Sequence, residues 1–255
     1  MLPTIAVYHD DGAGPFSRAC LVFALAEAFR GRATVRRIRA AEIVASDDWH
    51  AGTLLLAFPG GADRPYCAKL DGAGNASIRR YIEAGGALLG VCAGAYYAAT
   101  RIAWEANRPD EITGQRELAL FAGTARGSLH DLAEPYALEH LRCAAVAQLR
   151  AAATGEQLAA LYWGGPEFLP DAGAVYKPLA YYAGSERLAA LRTDVGRGRV
   201  VLTGVHAEIT GSQLPIEVSA YSDESFEHGM RVSAELTQLD PARRRLFDLL
   251  IAELS

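Results

Sequence analysis

Short apolar runs alternate with helically spaced segments through the first hundred residues. TIAVY (4–8) is a β-rich run that ends in the Gly/Asp loop HDDGAGP. FSRACLVFALAEAFR (16–30) places apolar residues three and four apart, which predicts a helix stopped at Gly31. ATVRRIR (33–39) alternates like a strand, and TLLLAF (53–58) is the continuous apolar run of a strand buried on both faces. ASIRRYIEAGG (76–86) predicts a glycine-stopped helix, ALLGVC (87–92) a second buried strand, and AYYAATRIAWEA (95–106) a helix.

This strand–helix alternation implies a parallel sheet covered by helices on both faces. The remainder is richer in strands: ELALFAG, RCAAVAQLR, QLAALYWGG, AVYKPLAYYAG, LAALRTDVG and RVVLTGVHAEI, several joined by Gly-containing turns. PARRRLFDLLIAEL (241–254) closes the pattern as a helix. The expected fold is α/β, a flavodoxin-like parallel sheet flanked by helices with an antiparallel β extension in the C-terminal half. With no repeat or long linker in view, residues 1–255 are expected to form a single domain.

Composition narrows the function classes. The 51% hydrophobic and 22% charged content is that of a globular chain with material for a core. A net charge of −5 with scattered basic residues disfavours a nucleic-acid partner. No apolar run reaches membrane-spanning length, so no membrane partner is expected. The opening MLPTIAVYHDDG lacks the basic, apolar and cleavage regions of a signal peptide, and a cytoplasmic location is expected. Cys20, Cys67, Cys92 and Cys143 are far apart and are read as free thiols in a reducing compartment. No metal cluster or nucleotide fingerprint is evident, so no metal or cofactor is expected.

Chemistry enters at Gly90-Val91-Cys92-Ala93-Gly94, a G-x-C-x-G between an apolar strand and a helical pattern. This is the thiol version of a nucleophile elbow, which presents its side chain at the start of the following helix. A tight turn with cysteine filling a small space fits the same motif. A thiol nucleophile needs a base, and the base needs an orienting acceptor. Of six histidines, only His206 directly follows a strongly strand-like run, and Glu208 lies two residues on. If the strand continues, both side chains point the same way and Glu208 holds the imidazole tautomer. LLLAFPGGAD (54–63) ends a strand in Pro-Gly-Gly, whose amides would form an oxyanion hole with Ala93 N–H.

FPGGAD, GVCAG and TGVHAE resemble the three blocks of the class I glutamine amidotransferase-like superfamily, in the same order. PGGADRPY (59–66), GVCAGAYYAAT (90–100), YWGGP (162–166) and GVHAEITG (204–211) are similar to the N-terminal domain of biotin-protein ligases and its stand-alone bacterial relatives. The resemblance implies Cys92 as nucleophile, His206 as general base and acid, Glu208 as orienting carboxylate, and Gly61 and Ala93 as oxyanion donors. It implies a substrate pocket at Gly60, Tyr66, Tyr96, Trp163 and Gly164, although aromatic core packing fits the same side chains.

Three departures bear on the substrate. Tyr96 stands where glutamine-hydrolysing members usually carry glutamine, Ala207 replaces the proline of H-P-E, and Ala93 replaces the histidine of the protease branch. The expected function is a cysteine-nucleophile hydrolase or acyltransferase acting on a small amide-like substrate. A non-catalytic ligand-binding or regulatory module is the alternative. A small-molecule substrate or ligand is expected, and amide transfer would need a separate synthetase or ligase partner. Asp10 and Asp11 follow the first strand and are read as a solvated loop, and GRGR (196–199) as a hairpin turn.

Overall fold

The computed structural model describes residues 2–135, 140–221 and 223–254. Five strands form the parallel part of the sheet: β1 (Thr4–Tyr8), β2 (Thr34–Ile38), β3 (Thr53–Phe58), β4 (Ala87–Val91) and, much later in the chain, β13 (Gly198–Thr203). Their order is β2-β1-β3-β4-β13, so the last strand lies beside the nucleophile's strand. Between β4 and β13 the chain builds β5 (Ala99–Trp104), β6 (Ile112–Gln115), β7 (Phe121–Gly127), β8 (Ala144–Ala151), β9 (Gln157–Trp163), β10 (Glu167–Pro170), β11 (Lys177–Tyr182) and β12 (Leu188–Val195). These continue the sheet as β12-β10-β7-β5-β6, with β11, β8 and β9 on a side branch. All pairs in this extension are antiparallel except β5 with β7.

Strand alternation divides the core. Ile5, Val7, Leu55, Ala57, Leu89 and Val91 face α1 (Pro15–Ala28) and α8 (Asp240–Ala252), through Leu21, Leu25, Leu246 and Leu250. Ala6, Tyr8, Leu56, Phe58 and Leu88 face the other way, onto α2 (Ala40–Ala45), α3 (Asp63–Leu70), α4 (Ala73–Glu83) and α5 (Ala93–Ala98). α6 (Leu214–Val218) and α7 (Asp223–Gln238) enclose a third cluster with Leu161 and Ile209. Pro15, with its fixed φ and absent N–H, starts α1 directly after the Gly-rich loop. Among the described residues no helix is long and apolar enough to cross a membrane.

The α/β reading and its antiparallel extension hold, with local corrections. The helix expected over 95–106 ends at Ala98. Thr100, Ile102 and Trp104 lie in β5, where pairing with β6 and β7 overrides the Ala-rich helical pattern. ELALFAG becomes a strand only from Phe121, while Leu118 and Leu120 are buried in the preceding loop. The Gly196–Arg197 turn joins β12 to β13 as a hairpin, as its glycines suggested. Asp10 and Asp11 pair with Lys69 rather than entering the candidate site.

Candidate active site

Cys92 sits where β4 turns into α5, with φ 49° and ψ −104°. A non-glycine residue in that region is strained and must be held by its surroundings. Here Cys92 N–H donates to Thr203 O of β13 at 2.9 Å, and Cys92 O accepts from Ala95 and Tyr96 N–H at 2.9 and 3.0 Å. Gly94 permits the close approach of α5 to β3, since a Cβ there would lie 2.5 Å from Phe58 O. The nearly buried thiol points its Sγ to Trp163 O at 3.6 Å.

β13 ends at Thr203, so the extended geometry expected to align His206 and Glu208 does not persist. The chain bends, and His206 is fixed instead by its N–H to Leu161 O of β9 at 2.8 Å. The two side chains meet nonetheless: His206 Nδ1 lies 2.8 Å from Glu208 Oε1. Both are buried. Burial pushes the imidazolium down, but the hydrogen-bonded Glu208 carboxylate, helped by the neighbouring Cys92, outweighs it and raises His206 to about 10. Burial instead pushes the Cys20 thiol up to about 12 and the Cys67 thiol up to about 11.

Two supporting side chains escaped the sequence reading. Ser17 of α1 accepts from Gly60 N–H and donates to Glu208 Oε1, both at 3.0 Å, tying the Pro-Gly-Gly turn to the carboxylate. Buried Arg243 of α8 donates to Ala207 O at 2.5 Å and clamps the bend between His206 and Glu208. A serine and an arginine inside amphipathic helices carry no local signal of such roles.

The turn itself is held by Gly14 N–H on Gly60 O and Ala62 N–H on Gly12 O, both at 2.9 Å. Gly61 has φ 141°, and a Cβ there would collide with Gly12 O, so this position requires glycine. Among the described residues neither Gly61 N–H nor Ala93 N–H has a hydrogen-bond acceptor.

The four carbonyls of Trp163–Pro166 are each engaged. Cys92 takes the first, Tyr96 OH the second at 3.1 Å, Tyr162 OH the third at 3.1 Å and Tyr182 OH the fourth at 2.8 Å. Burial pushes all three phenols up, keeping them protonated donors. Beside this segment opens a cavity of about 600 Å³. Cys92, Ala93, His206, Gly60, Gly61, Tyr96, Trp163 and Gly164 line it. Tyr66 does not. It donates to Pro59 O at 3.0 Å and packs edge-to-face among Tyr8, Phe58 and Tyr97, so its expected pocket role gives way to core packing.

The sheet order, the elbow and the enclosed Cys-His-Glu constellation define a glutamine amidotransferase-like fold. A glutamine amidotransferase from Thermotoga maritima superposes with a TM-score of 0.62 at 11% identity, over 99% of this chain and 97% of that one, a likeness of fold alone. More narrowly, the family model "Biotin-protein ligase, N terminal" matches residues 3–255, and the chain belongs to that family. An uncharacterized protein of Chlamydia muridarum is 34% identical over 209 residues, 80% of either chain. The biotin–protein ligase of Schizosaccharomyces pombe is 28% identical over 219 residues, which are 83% of this chain but only 34% of the ligase.

Proposed function

We propose that the chain is a cysteine-nucleophile hydrolase or acyltransferase acting on a small amide-like substrate. The observation that carries this reading is that Cys92 and His206 line one wall of the cavity while Glu208 Oε1 lies 2.8 Å behind the imidazole at Nδ1. The raised basicity of His206 draws the Cys92 proton onto the imidazole. The thiolate sulfur attacks the substrate carbonyl carbon, and the oxyanion receives the Gly61 and Ala93 N–H groups. His206 returns its proton to the departing amine, leaving a thioester on Cys92. Water, or another acceptor for acyl transfer, then attacks the thioester. It gives its proton to His206 as the sulfur leaves.

The Tyr96 phenol, held on Gly164 O, occupies the place of the glutamine usual in glutamine-hydrolysing relatives. It supports a second reading, a ligand-binding or regulatory module that retains the elbow without turnover. The relationship to a biotin–protein ligase extends to about a third of that protein, and ligation is not part of either reading. Use of a released amine would require a separate synthetase or ligase partner.

The test is the pH dependence of alkylation by limiting iodoacetamide, resolved by peptide mapping. At about pH 6, well below the ~8.5 of a free thiol, Cys92 is expected to label ahead of Cys20, Cys67 and Cys143, and more slowly in His206→Ala. A panel of small amides then identifies turnover that Cys92→Ala abolishes. Cys92 labelling no faster than the other three thiols would overturn the enzymatic reading and favour the module.

A further inference from the structure

The cavity wall carries charge beyond the Cys-His-Glu chain. Asp63 is committed to Arg116 at 2.5 Å, and Glu208 to His206 and Ser17. Arg64 lies at the exposed rim without an ion pair among the described residues. Glu217 of α6 remains, a partly buried carboxylate on the same wall with no hydrogen bond or ion pair to any described residue. Three aromatic side chains on the wall, Phe16, Trp163 and Tyr221, pack on the cluster that also holds Leu214 and Val218 of α6.

We propose that this end of the cavity is a subsite for an organic ammonium group, held by the Glu217 carboxylate and the faces of Phe16, Trp163 and Tyr221. An unpaired carboxylate partly withdrawn from water favours a cation, and aromatic faces attract the same charge through their quadrupoles. Burial alone pushes the Glu217 carboxyl up, with no neighbouring cation or donor to offset it, so a bound ammonium relieves a cost the empty wall carries. The subsite rests on the proposed function only for what the cation is attached to: an amide whose carbonyl reaches Cys92 while its ammonium reaches Glu217.

The experiment follows ¹⁹F line broadening of 4-fluorobenzylamine, a cation at neutral pH, against uncharged 4-fluorobenzyl alcohol, on the intact chain. The amine is expected to bind at least about tenfold more tightly than the alcohol, as a charge-assisted contact in a partly buried site provides. Glu217→Gln should bring the two within about twofold, with alcohol binding unchanged, and Glu217→Asp should keep part of the preference. Equal binding in the natural chain, no binding of the amine, or a preference that survives Glu217→Gln would overturn the subsite. Circular dichroism separates loss of fold from loss of charge. Because this binding does not involve the Cys92 sulfur, amine preference with an unreactive Cys92 would sink the catalytic reading alone. A reactive Cys92 without amine preference would sink the subsite alone.

Discussion

Glu208→Gln tests the electrostatics of the site most directly. The amide retains the size of the carboxylate and its hydrogen-bonding capacity toward His206 Nδ1 and Ser17, so the change is chiefly one of charge. His206 is raised from its ordinary 6.5 to about 10, with Glu208 the largest favourable cause. A histidine whose folded-state pKa lies above its unfolded value stabilises fully at low pH and loses that contribution as pH rises through the folded pKa. The whole His206 shift corresponds to about 5 kcal/mol at pH 6 and about 1 kcal/mol at pH 9, and Glu208 supplies the largest favourable part of it. That agrees with the ~3–5 kcal/mol cost of removing one partner from a buried pair. Urea unfolding in reductant, followed by the fluorescence of the three tryptophans, measures the difference between the natural chain and the variant at both pH values. The variant should be weaker by several kcal/mol at pH 6, with the gap closing towards pH 9. A gap independent of pH, or wider at pH 9, would refute the charge-pair account.

Other substitutions probe the scaffold of the site. Ser17→Ala leaves the buried Gly60 N–H without its acceptor and removes one donor from Glu208, and should cost about 1–3 kcal/mol in urea unfolding. A loss under about 0.5 kcal/mol would mean that another group takes over both bonds. Gly60→Ala places a Cβ 2.5 Å from His206 Cε1 and 3.2 Å from Ser17 Oγ. It should displace the imidazole and slow Cys92 alkylation at pH 6 towards the rate of His206→Ala, whereas an unchanged rate would show that the ring is not confined by the turn.

What the sequence made legible was short in range. GVCAG announced the elbow because strand, glycine spacing and helix are adjacent, and the glycines act through local close approach. His206 and Glu208 were found for a partly mistaken reason. The strand expected to align them stops at Thr203, and Leu161 and Arg243 impose the orientation instead. Ser17 lies 191 positions from the carboxylate it binds, and nothing in FSRAC marks that serine apart from any other helical one. The strand at 99–104 was illegible for a related reason, because its alanines suit a helix until β6 and β7 supply partners. Tyr66 shows the converse, an aromatic side chain in the right block of sequence whose side chain turns into the core.

The position of β13 has a consequence for synthesis. Cys92 emerges from the ribosome more than a hundred residues before His206, and the strand that brings them together also joins the two halves of the sheet. At about 5–20 residues per second the nascent chain spends some 6–23 seconds with its elbow cysteine made and His206 not yet translated. During that interval neither Thr203 O, which accepts from Cys92 N–H, nor the imidazole is present. The elbow therefore stays open on the growing chain, and Cys92 meets Thr203 and His206 only when the sheet closes around β13.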